Sequence, residues 1–292
     1  MPSRTAAEIA TQPELWRGAA SAAASHVAAL PAAGAGVAVV GCGTSWFMGQ
    51  AWAALRESAG HGRTDAFTPT ELPAGRRYDH LVAISRSGTT TEVTRLLETA
   101  PAPASTAITA VAGSPVASAA THAIVLAEAD ETSVVQTRFA TTALALLRAH
   151  AGGDLAAAAT DAERALMADL PDDPASLRHV VFLGHGWSVG LANEAALKLR
   201  EAAQLHTEAY PAMEYRHGPI AVAGDDTLVW IFSSPDPTVA ADVRATGATV
   251  REATLDPMAE LVLAQRLAVA AAEANDLDPD HPRHLTRSVV LA

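Results

Sequence analysis

One local pattern occurs twice along the chain, and it limits the folds open to it. Val37-Ala-Val-Val40 runs into Gly41-Cys-Gly-Thr-Ser45 and then into a helix-like stretch, Trp46 to Arg56. Val180-Val-Phe-Leu183 runs into Gly184-His-Gly-Trp-Ser188 and then into Val189 to Leu205. Gly41, Gly43 and Ser45 line up with Gly184, Gly186 and Ser188, and Leu81-Val-Ala-Ile84 lines up with Leu228-Val-Trp-Ile231 at nearly the same offset. Two matches at nearly one offset indicate a duplicated unit. The apolar runs are short, continuous and rich in Val and Ile, as in strands covered by helices on both faces of a parallel sheet. Their alternation with helical stretches predicts a doubly wound α/β fold. Gly152-Gly-Asp154 and Pro171-Asp-Asp-Pro174 mark turns, so the boundary is expected near them, with one domain over 1–150 and a second over 151–292. From Asn275, with Pro279 and Pro282, the chain reads as an extended tail that must dock or fray.

Composition narrows the function. Of the 292 residues 49% are hydrophobic and 18% charged, which suits a packed core. The formal charge of −12 excludes a general nucleic-acid binder, since phosphate-backbone contacts need a basic surface, yet a local pocket for a small anion remains open. The one cysteine, Cys42, excludes an intramolecular disulfide and a Cys-rich zinc site. No HExxH or comparable metal-ligand spacing occurs, so no metal is expected. The beginning of the chain lacks an uninterrupted apolar stretch, and the Ala-rich segment 19–40 is broken by Pro31 and glycines. Neither a signal peptide nor a membrane span is expected, and a cytoplasmic location is the simplest reading.

Ser85-Arg-Ser-Gly-Thr-Thr90 follows a strand and precedes a helical run, Glu92 to Leu97. Hydroxyls and backbone N–H groups at a helix N-terminus make an anion site, where the helix dipole favours negative charge. Simple Ser/Thr capping is the bland alternative. The matching place in the second half, Phe232-Ser-Ser-Pro-Asp-Pro237, puts prolines where the first half has Gly88 and Thr89. The richer loop therefore occurs once, which favours one anion site per chain. Gly41-Cys-Gly-Thr-Ser45 is not GxGxxG, and no acidic residue follows at ribose-binding distance, so no nicotinamide cofactor is expected. Thr44 and Ser45 suit hydroxyl contacts with a small polar ligand, or capping.

Glu194, Lys198 and Glu201 are spaced four and then three residues apart, on one helix face. A solvated ion-pair ladder is the usual meaning of such spacing. Here the helix starts at the glycine-rich end of a strand, where open α/β sheets place ligands, so a base and its polarising cation are the sharper reading. His217 precedes Gly218-Pro219, a chain break that can present a side chain to a site.

Taken together these strings resemble the sugar isomerase (SIS) domain family, and within it the isomerase half of glucosamine-6-phosphate synthase. The likeness is carried by Gly41–Ser45, Ser85-x-Ser-Gly-x-Thr90, Ala196-Leu-Lys-Leu-Arg-Glu201, Glu208-Ala-Tyr210 with Glu214 and His217-Gly-Pro219, and Pro282-Arg-x-Leu285, in the family's order. The opening Glu8-Ile-x-x-Gln12-Pro13 is similar as well. The resemblance implies tandem SIS subdomains, each a parallel sheet flanked by helices, working as a homodimer on a sugar phosphate without a cofactor. It implies that Ser45, Ser85, Ser87 and Thr90 hold the phosphate, and that Gly43, Thr44, Arg86, Gly88 and Val134 contact substrate. It implies Glu201 as the base at C2, Lys198 as its polarising partner, and His217 as the group that assists ring opening from across the subunit interface.

Three departures shape the expected chemistry. The glutaminase domain of the synthase has no counterpart in this sequence, so ammonia from glutamine is not expected. Arg287 stands where the synthase has an imine-forming lysine, and a guanidinium cannot form that imine. Arg86 replaces a glutamine in the Ser-x-Ser loop, which is expected to strengthen phosphate binding or change what sits beside it. The leading expectation is isomerisation with deamination of a hexosamine 6-phosphate, with Arg287 counted among the catalytic residues. Dehydration of N-acetylglucosamine 6-phosphate by β-elimination is the alternative. A non-catalytic sugar-phosphate sensor is the reading from a different class; residues 1–30 are too short and too poor in basic residues for the DNA-binding module that such a sensor would use.

Overall fold

A computed structural model describes residues 2–99 and 101–291. In chain order the elements are α1 (Arg4–Ala10), α2 (Gln12–Ser25), β1 (Val37–Val40), α3 (Thr44–Ser58), β2 (Thr64–Phe67), β3 (His80–Ile84), α4 (Thr91–Glu98), β4 (Ala104–Thr109), α5 (Pro115–Ala119), β5 (His122–Val125) and α6 (Arg138–His150). Then follow α7 (Leu155–Met167), β6 (His179–Gly184), α8 (Ser188–Ala203), β7 (His206–Pro211), β8 (Thr227–Ile231), α9 (Thr238–Arg244), β9 (Thr249–Glu252) and α10 (Pro257–Ala274).

The strands form two parallel sheets, of five strands in the order β2-β1-β3-β4-β5 and of four in the order β7-β6-β8-β9. The doubly wound α/β architecture expected from the duplicated strand–turn–helix pattern is therefore present. The central strands β1, β3 and β8 are buried at every position, as their uninterrupted apolar sequences require, whereas the edge strands β5 and β9 each expose residues. Sequence reasoning located β1, β3, β6 and β8 and missed β2, β4, β5, β7 and β9, most of which interrupt their apolar residues with polar ones.

The chain divides into two compact units. The first unit holds Glu14–Ala156 and the residues from Thr286 on; the second holds Ala157–Leu285 and the residues up to Pro13. In the first, α3 packs against α6, and the Trp16 indole N–H donates to the Thr141 hydroxyl at 3.1 Å. In the second, α10 packs against α8, and Trp230, Glu260 and Arg251 form a buried polar set with indole and guanidinium donating to one carboxylate at 3.0 and 3.1 Å. Asp280 accepts the Arg4 and Thr5 amides at the start of α1 at 2.9 and 2.8 Å, a carboxylate placed on a helix N-terminus. Among the described residues no helix is long and apolar enough to cross a membrane.

Candidate functional site

The five-stranded sheet has strand order 2-1-3-4-5, so its topology reverses between β1 and β3. Open α/β sheets bind ligands in the crevice at such a switch point, beyond the carboxyl ends of the strands. The two turns singled out in the sequence leave that edge side by side: β1 ends at Val40, whose parallel partner is Ala83 of β3, so Gly41–Ser45 and Ser85–Thr90 are neighbours. Gly41 has to be glycine, because a Cβ there would lie 2.8 Å from Ser45 Cβ. Ser45 and Thr44 are buried in the first turn of α3.

The Ser85–Thr90 loop is a cluster of hydroxyls. Ser85 Oγ and Thr90 Oγ1 are 3.3 Å apart, and Ser87 Oγ accepts from the Thr89 amide at 3.2 Å and the Thr89 hydroxyl at 3.1 Å. Thr90 is the N-cap residue of α4, yet its side chain makes no capping bond. Capping is therefore not what holds this hydroxyl in place. Gly88 adopts φ +65°, and a Cβ there would stand 2.0 Å from Ser114 Oγ, so the loop's path excludes any side chain at this position.

Arg86 does not join the hydroxyls. Its guanidinium is buried and donates to the carbonyls of Ser133 at 3.0 Å, Val134 at 3.2 Å and Arg287 at 3.0 Å, with the Glu131 carboxylate at 3.6 Å. Glu131 in turn accepts the Thr137 amide and hydroxyl and the Arg138 amide at the start of α6. Arg86 thus ties the loop to residues 131–134 and to the tail, and Val134 enters the cluster through its carbonyl. The Arg287 guanidinium binds the Asp130 carboxylate and the Glu131 carbonyl.

The four-stranded sheet has the equivalent switch point between β6 and β8. There Ser188 Oγ and Ser233 Oγ are bonded to each other at 2.7 Å, and the His185 amide donates to both. The hydroxyls of the duplicated place pair with each other, and the adjoining cavity of about 200 Å³ has the Asp236 and Glu252 carboxylates on its walls, which disfavour an anion.

In the second unit, α8 carries Glu194, Lys198 and Glu201 on one face, as the spacing required. Glu194 and Lys198 are each 1% exposed, so the solvated-ladder reading does not hold for them. Lys198 Nζ lies 3.4 Å from Glu194 and donates to Glu201, whose side chain is 20% exposed. Glu201 opens onto a cleft of about 330 Å³ bordered by Arg200, Gln204, Arg283, His284 and Leu285. The neighbouring Arg200 is held outside the pair, donating to the Thr207 carbonyl and hydroxyl at 2.9 and 3.2 Å. A buried lysine next to a partly open carboxylate provides a base and a fixed cation beside it.

His217 ends a one-turn helix, Glu214–His217, and is exposed. The turn is anchored on both sides of the chain. Tyr215 is buried in the core, and Arg216 binds Asp236 at 2.8 Å and Asp242 at 2.6 Å. The Arg216 guanidinium, with the Thr238 amide and hydroxyl, holds the Asp236 carboxyl down at about 2. Sequence reasoning missed Ser288, Thr89 and Glu131. Thr89 sat inside a recognised loop, and Ser288 directly follows the singled-out Arg287, so adjacency was the available sign for both.

Comparison with known proteins agrees with this geometry. The SIS domain model matches residues 35–151 and 175–255. Glutamine–fructose-6-phosphate aminotransferase (isomerizing) of Xylella fastidiosa strain 9a5c is 32% identical over 146 residues, covering 40% of this chain and 24% of that protein. The same enzyme of Aeropyrum pernix is 34% identical over 138 residues, covering 37% and 22%. The chain thus spans about a quarter of the length of these curated relatives. Among solved structures, glucosamine-6-phosphate deaminase of Thermotoga maritima superposes with a TM-score of 0.85 at 25% identity, over 99% of this chain and 100% of that one. The C-terminal domain of glucosamine-fructose-6-phosphate aminotransferase from Francisella tularensis gives 0.76 at 21% identity, covering 97% and 99%, a likeness of fold. With most of its length matched by the family model and two parallel sheets of the expected topology, the chain belongs to the SIS domain family.

Proposed function

We propose that the chain is a phosphosugar enzyme that isomerises and deaminates a hexosamine 6-phosphate. The observation that carries this reading is the pair of dissimilar switch points. One carries the Ser85–Thr90 hydroxyls, while its duplicate offers fewer of them and lines the adjoining cavity with the Asp236 and Glu252 carboxylates, which disfavour an anion. The first is the place for the phosphate, with Ser45, Ser85, Ser87 and Thr90 as donors. The proton-transfer group is Glu201, with Lys198 beside it. Support also comes from the likeness to the Thermotoga maritima deaminase along nearly all of both chains.

The chemistry follows from the substrate's own acidity. In the open-chain aldehyde, the C2 proton is acidified by C1. Glu201 removes it, and the proton returns at C1, giving the ketimine of fructose 6-phosphate. The aldehyde oxygen gains a proton as the nitrogen gives one up, water then adds at C2 and ammonia leaves, so glucosamine 6-phosphate and water give fructose 6-phosphate and ammonia. The nitrogen involved is the substrate's, and an enzyme lysine at position 287 is not required. His217 of the partner subunit assists ring opening in a homodimer; its exposure on an anchored turn, with Met213 and Val222 also exposed nearby in sequence, supports that arrangement.

The test is incubation with glucosamine 6-phosphate in deuterated water. Ammonia and fructose 6-phosphate are expected in equal amounts, with deuterium entering from solvent. General-base catalysis is worth roughly 10²–10⁴-fold, so Glu201→Gln should lower C2 exchange by that order while substrate still binds. Wild-type protein that neither exchanges the C2 proton nor releases ammonia would remove the reading, and water loss from N-acetylglucosamine 6-phosphate would replace deamination by β-elimination.

A further inference from the structure

The tail from Thr286 is held on the anion loop by polar atoms. Ser288 Oγ accepts from Ser87 Oγ at 3.1 Å and from Thr89 Oγ1 at 2.9 Å. The Arg287 carbonyl accepts from Arg86, and the Arg287 guanidinium reaches Asp130 and the Glu131 carbonyl. The Thr91 amide donates to the Val289 carbonyl at 3.3 Å, and the Leu291 amide to the Thr91 hydroxyl at 2.9 Å. The apolar side chains of the same segment stay out: Val289, Val290 and Leu291 are 55%, 68% and 47% exposed. Burial of hydrocarbon therefore does not dock this strap; its hydrogen bonds to the loop do.

A hydroxyl has one hydrogen to give and two lone pairs to receive. Thr89 has one hydrogen for two neighbours, Ser87 Oγ and Ser288 Oγ, and serves one of them at a time, while Ser87 can donate to Ser288. Ser87, Thr89 and Ser288 thus form a triangle of hydroxyl oxygens with sides of 3.1, 3.1 and 2.9 Å, in which each oxygen carries one hydrogen. Hydroxyls that serve one another in this way can turn their hydrogens to an incoming anion without moving their oxygens. A charge-assisted bond is roughly twice as strong as the neutral one it replaces, so the exchange favours the anion.

We propose that Ser288 is a further phosphate-binding residue, contributed by the strap, so that phosphate occupancy and strap docking stabilise each other. The inference rests on the reading of the Ser85–Thr90 loop as the phosphate site. Coupling of this kind is reciprocal: what the strap adds to phosphate affinity, phosphate adds to strap docking.

The experiment titrates inorganic phosphate into wild type, Ser87→Ala, Ser288→Ala and Ser288→Thr, and follows amide hydrogen exchange in residues 286–291 with and without phosphate. Loss of one hydrogen bond to a charged group should weaken phosphate binding roughly ten- to a hundred-fold in Ser288→Ala. Ser288→Thr, which keeps the hydroxyl, should stay within about twofold of wild type. Phosphate should slow exchange of the strap in wild type and not in Ser288→Ala. Unchanged affinity in Ser288→Ala, with a loss in Ser87→Ala, overturns the role of Ser288 and leaves the loop as the phosphate site. Tighter binding in Ser288→Ala also overturns it, because the strap would then compete with the anion. No phosphate binding by wild type, or none lost in Ser87→Ala, removes the phosphate reading of the loop and the inference with it.

Discussion

Lys198→Met tests whether α8 carries a buried charge set or an ordinary ion pair. Methionine has nearly the same length and removes only the ammonium, so packing is largely conserved. In the wild type the ammonium stands 3.4 Å from Glu194, and both side chains are 1% exposed. At an effective dielectric constant of ~20, attraction at that distance is about 5 kcal/mol. The Glu201 contact adds less, because that carboxylate is partly solvated. Removing one member of a buried pair usually costs about 3–5 kcal/mol, since the remaining charge stays desolvated. Lys198→Met should therefore lose about 3 kcal/mol or more at pH 7.5, read from urea unfolding followed by tryptophan fluorescence at fixed protein concentration. Adding Glu194→Gln to Lys198→Met should recover most of the loss at pH 7.5. The reasoning is refuted by a Lys198→Met protein within about 1 kcal/mol of wild type, or by a double variant less stable than Lys198→Met alone.

Two more outcomes follow from the first unit. Gly88→Ala must accept both φ +65° and a Cβ 2.0 Å from Ser114 Oγ, so it should cost about 3 kcal/mol or more in urea unfolding and abolish phosphate binding; a stable, phosphate-binding variant would mean that the loop has another available path. Burial, then the nearby His122 and Arg56 charges, lowers the His80 imidazole from 6.5 to about 4, and its Nε2 stands 2.8 Å from Thr106 Oγ1. The unfolded chain takes up this proton below pH 6.5 while the native one does not until near 4, so this contribution to stability is full above pH 6.5 and falls as pH drops through that window. His80→Gln should show a shallower decline of the urea midpoint between those limits, and an identical decline would exclude His80 as a source.

What was legible in the sequence is what periodic hydrophobicity and turn chemistry encode. The central strands β1, β3, β6 and β8 are continuous apolar runs because both their faces are covered, and each was read from that alone. Edge strands such as β9, Thr249–Glu252, carry exposed polar residues and gave no comparable pattern. At the candidate site, residue types and spacing pointed to the hydroxyl loop and to Glu194, Lys198 and Glu201. Burial of Lys198 was not readable, since the same i, i+4 spacing serves solvated helices. Nor was the direction of Arg86. A guanidinium next to two serines looks like a phosphate ligand, yet three carbonyls and a carboxylate draw it the other way. Those partners lie between 45 and 201 positions further along the chain, beyond the reach of any local motif.

The strap pairs with the loop across a large separation in the chain: Ser87 and Ser288 are 201 positions apart. Chain order therefore differs from assembly order. On a ribosome, β1, β3 and the Ser85–Thr90 loop emerge early and can form their sheet, but the Ser288 hydroxyl becomes available only after the whole of Ala157–Leu285 has been made. Closing so distant a contact carries a large loop entropy and comes late in folding. The nascent chain would hold a formed five-stranded sheet with the Ser85–Thr90 loop lacking its Ser288 contacts until that residue has been made. A peptide-bond break near Leu285 should return the mature protein to that earlier condition, with the sheet retained and the loop open.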